Sequence, residues 1–201
     1  MYAIAINGSP RKGGNTECML NHALIPLAEA GWETRLIQVG GQPVRGCMAC
    51  NKCAKNQDKH CAITTDMFNE VMDEIVRADA VIIGSPTYFA DLTAEAKAVL
   101  DRAGYVGLSN GGLLAGKIGA AVAVARRGGA VPVFDSINHM FLMSGMIVPG
   151  STYWNMGIAL RRKDVLEDAE ALANMTNLGQ TIAWLGEAIK PKLGSFPKAT
   201  F

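Results

Sequence analysis

Gly8-Ser9-Pro10-Arg11-Lys12-Gly13-Gly14-Asn15-Thr16 joins glycine, hydroxyl, amide and base in one short loop. It stands between the apolar run Met1–Asn7, which reads as a buried strand, and a helix beginning near Thr16. A loop of that make-up at a helix N-terminus is an anion site, because free backbone N–H groups and the positive end of the helix dipole face the ligand. Gly8, Gly13 and Gly14 let the backbone curl around a phosphate without Cβ clashes. Ser9, Asn15 and Thr16 can donate hydrogen bonds, and Arg11 can form a charge-assisted fork. Neither G-x-x-x-x-G-K-[ST] nor G-x-G-x-x-G is present, so the cup suits a mononucleotide better than a triphosphate or a dinucleotide. The plainer reading is an ordinary glycine-rich turn.

Three further stretches carry chemistry. Cys47-x-x-Cys50-x-x-Cys53, followed by Cys61, gathers four of the five cysteines as candidate ligands, redox groups or buried thiols. Gly84-Ser85-Pro86-Thr87-Tyr88-Phe89 combines a proline turn, hydroxyls and two aromatics, and can lie along a flat heterocycle. Its alternative is a turn whose aromatics pack on the next helix. Arg126-Arg127-Gly128-Gly129 can approach the same ring through its glycines, or can be a solvated basic turn. His60 is a further candidate ligand or a surface histidine, and Cys18 reads as a buried thiol.

The elements that must position these loops follow from the apolar spacing. Met19, Leu20, Ala23, Leu24 and Leu27 recur at helical spacing up to Gly31, with a kink or early break expected at Pro26. Glu33 to Val39 reads as an edge strand of mixed polarity. A second helix runs through Met67, Phe68, Val71, Met72, Ile75 and Val76, with Thr64 or Thr65 expected as its cap. Ala80 to Ile83 is a strand, and Asp91 is expected to cap the helix carrying Leu92, Ala96, Val99, Leu100 and Ala103. Lys117 to Ala125 is a buried strand, and Pro132 fits the first turn of a helix closed by Gly145. Met146 to Val148 is expected as the fifth strand, Ser151 to Lys163 as irregular chain, and Asp164 to Ile189 as the last helix. Five strands alternating with five helices imply a doubly wound parallel sheet with helices on both faces. Ligands in such sheets bind outside the carboxyl ends of the strands, and every unusual loop named above follows a strand.

The chain has 201 residues and a formal net charge of +1, enough for one sizeable core and without the footprint of a nucleic-acid-binding protein. No apolar run approaches a membrane span and no basic leader precedes the first strand, so no membrane partner and a cytoplasmic location are expected.

Together, Gly8-Ser9-Pro10-Arg11 through Asn15-Thr16, Gly84 to Phe89 and the Arg126 to Gly129 turn resemble the NADPH-dependent FMN reductases of the flavodoxin-like superfamily. The resemblance covers nearly the whole chain. It implies one flavodoxin-like domain over residues 1–201, with a five-stranded sheet in the order 2-1-3-4-5 and FMN at its carboxyl edge. By motif match, Ser9, Arg11, Asn15 and Thr16 hold the FMN phosphate. Pro86, Thr87, Tyr88 and Phe89 line the isoalloxazine, and Arg127, Gly128 and Gly129 close over it. The resemblance also implies a homodimer or homotetramer with the flavin near a subunit interface, which Tyr153-Trp154-Asn155 would reach. Cys47, Cys50, Cys53 and Cys61 are similar to the compact motif of iron–sulfur flavoproteins, a branch of the same superfamily. Thiolates so spaced can wrap one [4Fe–4S] cube, each binding one iron. Zinc more often uses two separated C-x-x-C pairs, while a redox disulfide and cluster-free thiols remain open.

Two functional classes follow. One is an FMN-dependent oxidoreductase that takes electrons from NAD(P)H and passes them to a small-molecule or protein acceptor. The other is an electron carrier, with FMN and a cluster, serving ferredoxin-like partners. A binding module without activity is the blandest reading. No acid–base triad is evident, and the chemistry belongs to the flavin.

Overall fold

The computed structural model describes residues 1–197; the last four residues of the expected domain, 198–201, lie outside the described residues. Five parallel strands form one sheet in the order β2-β1-β3-β4-β5: β1 Tyr2–Asn7, β2 Glu33–Gln38, β3 Ala80–Pro86, β4 Ile118–Ala125 and β5 Met156–Ile158. This is the doubly wound order whose switch point lies between β1 and β3. The helices are α1 Asn15–Glu29, α2 Lys52–Asn56, α3 Phe68–Arg77, α4 Ala94–Ser109, α5 Ala130–Met143 and α6 Ala169–Ile189. Among the described residues, no helix is long and apolar enough to cross a membrane.

Strand alternation divides the core into two layers. Tyr2, Ile4 and Ile6 of β1, with Val81 and Ile83 of β3, face the side of α3, α4 and α5. Ala3, Ala5, Ala80 and Ile82 face α1 and α6. The central strands are buried on both faces, as parallel strands covered by helices must be. Edge strand β2 is half exposed and polar, as its composition indicates.

Five local expectations are corrected. Ile147 makes only one bridge, to Ile118 at the base of β4, and the fifth strand is Met156–Ile158, paired with Ala123–Ala125. Pro149 and Gly150 interrupt the earlier run, since proline cannot donate to a ladder. Thr93, not Asp91, caps α4: its hydroxyl accepts from Ala96 N and donates to the Gly8 carbonyl at 2.8 Å. Neither Thr64 nor Thr65 caps α3; the Phe68 N–H donates to Asp66 Oδ1 instead. Pro26 does not stop α1, which continues to Glu29, because in the last turn the missing N–H costs only one bond. The last helix is also divided: a 3-10 turn spans Asp164–Glu167, and Asp168 then caps α6 by accepting from Ala171 N.

Gly179 of α6 sits where α6 crosses α1. A Cβ there would lie 2.4 Å from the Ala23 carbonyl oxygen, so the glycine that weakens the helix by propensity is what permits the crossing.

Candidate functional site

The loop between β1 and α1 is shaped by buried polar groups at the strand ends. The Asn7 side chain accepts from Ser9 N at 3.0 Å and donates to Gln38 Oε1 at 2.7 Å. Gln38 in turn donates to the Ser9 and Gly40 carbonyls. The Ser9 hydroxyl accepts from Arg11 N at 3.3 Å, and Gly13, at φ 64°, turns the chain into α1. Gly14 stands at the N-cap position with no side-chain cap. The N–H groups of Asn15 and Thr16 have no protein partner among the described residues, so the positive end of α1 is open. A carboxylate already sits on this loop: Gly13 N donates to Glu17 Oε2 at 2.6 Å.

In front of this helix end lies a cleft of about 300 Å³, lined by Ser9, Arg11, Asn15, Thr16, Pro86, Thr87, Tyr88 and Arg126, with the ends of β4 and β5 behind it. Seven of the eleven flavin-site residues expected from sequence are thereby brought together. Asn15 is committed in a further way. Its amide donates to the Arg161 carbonyl at 2.8 Å and its oxygen accepts from Val165 N, so its side chain anchors the turn after β5.

The other four expected residues sit outside the lining. Phe89 is the fully exposed tip of a tight turn closed by Tyr88 and Asp91. It and Ala90 both have positive φ, 46° and 75°, an uncommon conformation for side chains with a Cβ. Arg127, Gly128 and Gly129 are exposed beyond the cleft, and Arg126 is the member of that turn that lines it. The two loops are joined where Thr87 Oγ1 donates to the Gly129 carbonyl at 3.3 Å.

Sequence reasoning missed Val124, Ala125, Ala159 and Leu160 in the cleft wall. The last two follow the true β5, so placing that strand ten residues too early hid them. It also missed the basic turn of residues 161–163. Arg162 donates to the Gly13 and Lys12 carbonyls at 3.1 and 2.6 Å, laying positive charge against the loop.

The cysteine segment leaves the carboxyl end of β2, crosses Gly8 through Gly40, and lies along α4. Cys47, Cys50, Cys53 and Cys61 line one small pocket, with Arg102, Tyr105 and Val106 of α4 as its floor. Arg102 lies eight residues past Ala94, about 12 Å down the helix from the sheet edge. The pocket and the cleft have no lining residue in common. Among the described residues, all cysteines are free, and no three His, Cys, Asp or Glu side chains are gathered tightly enough for one metal ion. A cube needs a wider spread than an ion, since each thiolate holds a different iron. Four of the seven non-glycine residues with positive φ among the described residues, Ala49, Asn51, Gln57 and Lys59, fall in this segment. It is held in that form by Tyr105 Oη donating to Asn51, by Asn110 accepting from Lys59 N, and by Asn69 bonding both backbone groups of Cys61. Ala49 N donates to Cys47 Sγ at 3.4 Å. His60 turns away to Asp73 of α3 at 2.8 Å. Cys18 is separate, on α1, where burial pushes its thiol up from its ordinary value.

Comparison with known proteins places this geometry. The model of NADPH-dependent FMN reductases matches residues 1–160. The chain belongs to that family. This family member is 34% identical over 197 residues to an iron-sulfur flavoprotein of Methanocaldococcus jannaschii, covering 94% of this chain and all of the relative. Its fold matches RosB with the bound intermediate 8-demethyl-8-formylriboflavin-5'-phosphate at a TM-score of 0.74 and 17% identity, over 96% of this chain and 81% of the other. It also matches a flavodoxin from the domain Archaea at a TM-score of 0.61 and 20% identity, over 93% and 99% of the two chains. The fold is flavodoxin-like.

Proposed function

We propose that the chain binds FMN in the cleft before α1 and works as a flavin-dependent oxidoreductase, drawing electrons from NAD(P)H for an acceptor outside the protein. The observation that carries this reading is the uncapped N-terminus of α1, whose open N–H groups line a cleft with a proline–aromatic wall. Ser9, Arg11, Thr16 and the first-turn N–H groups would hold the phosphate; Pro86, Thr87 and Tyr88 would flank the ring, with Arg126 at its edge. Bound FMN supplies the chemistry, exchanging electrons as a hydride or singly. The protein's part is to hold and orient it, and the basic turn of residues 161–163 adds positive charge beside the phosphate end. Phe89, Arg127, Gly128 and Gly129 lie where a nicotinamide or a second subunit of a dimer or tetramer would meet the ring.

The test has two parts. FMN should bind more tightly than riboflavin, and Arg11→Ala should weaken FMN selectively, since charge-assisted bonds to a phosphate contribute roughly 1.5–3 kcal/mol each. Equal affinities for the two flavins would refute the phosphate site. Anaerobic stopped flow should then show NAD(P)H bleaching the bound flavin. Bleaching by dithionite but by neither nicotinamide would favour an electron carrier serving ferredoxin-like partners.

That second reading has its own observation: four cysteines on one pocket, in a chain similar to a protein named as an iron-sulfur flavoprotein. Cys47, Cys50, Cys53 and Cys61 fit a [4Fe–4S] cube in number, in their shared pocket and in their strained, bonded loop. A cluster there would supply one-electron transfer.

A further inference from the structure

Arg102 is the most deeply buried charge in the described structure. Its side chain has no exposed surface, and it forms an ion pair with Asp66, itself buried, at 2.6 Å. Burial alone would raise the Asp66 carboxyl. The Arg102 hydrogen bond and the N–H groups of Arg45 and Phe68 outweigh that and hold it below the ordinary carboxylate range.

The partners of Arg102 bracket the cysteine segment. Nη1 donates to the Arg45 carbonyl at 3.1 Å, two residues before Cys47. Nη2 donates to the Ile63 carbonyl at 3.2 Å, two residues after Cys61. The guanidinium lies 4.0 Å above the Phe68 ring. One side chain thus clasps both feet of the loop and anchors them to α4. Its third nitrogen is different: Nε is buried and has no partner among the described residues. Leaving such a donor unmet is costly in a folded protein. Arg102 also forms part of the floor of the pocket that the four cysteines line.

We propose that Arg102 is a positioning and tuning residue for an iron–sulfur cluster in this pocket, with its Nε–H donating to a sulfur of the cluster or of a ligating cysteine. The inference rests on the cluster reading above. It accounts for the unmet donor and for a buried arginine in a position that packing alone would give to an apolar side chain. The Asp66 carboxylate balances much of the arginine's charge, so Arg102 acts on the reduction potential mainly through the hydrogen bond to sulfur. Bonds of this kind stabilise the more negative, reduced cluster and raise its potential.

The test uses full-length protein, reconstituted anaerobically with iron and sulfide and grown with arginine carrying 15N in the guanidinium group. Iron is counted first. About four irons per chain are expected from one iron per thiolate. Flavin-loaded protein without stoichiometric iron would overturn the cluster reading and this inference together. With iron present, pulsed EPR of the reduced wild type should show a 15N coupling, and its absence overturns the Arg102 assignment while leaving the cluster intact. Arg102→Lys, and the charge-balanced pair Arg102→Met with Asp66→Asn, should lose that coupling and shift the cluster to lower potential. A coupling that persists in either variant comes from another arginine and refutes the assignment, as does an unchanged potential. A purely structural clasp would alter loop stability and iron retention without producing the wild-type coupling.

Discussion

Asn15 illustrates how one side chain can match a motif and still do something else. Its type and place suit a phosphate ligand, yet both ends of its amide hold the chain after β5. Asn15→Ala should therefore loosen the chain after β5, including the cleft wall at Ala159 and Leu160, and lower affinity for riboflavin as well as for FMN in flavin titrations, whereas Arg11→Ala weakens FMN selectively. Asp66 lends itself to a pH test. Its folded carboxyl lies below its ordinary value of about 3.9, so the folded state holds the proton less tightly than the unfolded chain. The stability it contributes is present above that ordinary value and is lost as pH falls through the folded value. At neutral pH, Asp66→Asn leaves Arg102 charged and buried without a counter-charge, at a cost of about 3–5 kcal/mol. Denaturant melts from pH 7 down to pH 2 should show the gap between variant and wild type closing only at the acid end. A gap independent of pH would mean that the pair contributes through packing rather than charge.

Among the elements, those with strong periodicity were legible from sequence and those fixed by a single partner were not. The apolar spacing of residues 19–27 marks α1 because burial on one face leaves a repeating pattern, and the unbroken apolar run 118–125 marks β4 because a strand covered on both faces buries every residue. Three-residue β5 has no such pattern; its place is set by Asn155 and Ala159 bonding the end of β4. With β5 expected at Met146 to Val148, Ala159 and Leu160 fall inside a stretch read as irregular chain instead of directly after a strand, and are lost from the site. The expected helix starts fail for a related reason: Thr93, which caps α4, and Asp66, which accepts from Phe68 N, are held by distant partners, the Gly8 carbonyl and Arg102, which no local pattern reveals. Gly179 likewise reads as a weak point of α6 until its contact with Ala23 is known. Alanine there would gain about 1 kcal/mol of helix propensity, but overpacking against a backbone oxygen costs about 1–3 kcal/mol. Gly179→Ala should lower the melting temperature, whereas an exposed glycine-to-alanine change in a helix raises it. A rise in the melting temperature would show that α1 and α6 can separate without strain.

Across the whole molecule, the sheet edge and the side of α4 carry two separate cavities. The cleft is built from the ends of β1, β3, β4 and β5; the cysteine pocket is built from the segment after β2 and the middle of α4. With no shared lining residue, removing a cysteine should not reach the cleft through direct contact. The cysteine segment does cross the cup's floor at Gly40, where a Cβ would come 2.3 Å from the Gly8 carbonyl oxygen. That crossing lies upstream of the cysteines, and it is fixed by Gln38 and by the Val39 and Gly40 N–H groups on the Asn7 carbonyl. Cys50→Ser leaves all of those bonds in place. The variant should therefore lose its iron after anaerobic reconstitution while binding FMN within a few-fold of wild type, checked by iron assay and flavin titration on the same preparation. Air exposure alone can strip an exposed cluster, so the comparison is made under argon. A variant that loses flavin along with iron would mean that the loop's order, which metal binding helps to fix, is transmitted through Gly40 to the cup. In that case the two sites would behave as one cooperative unit, and the cysteine segment would act as a strap across the phosphate loop.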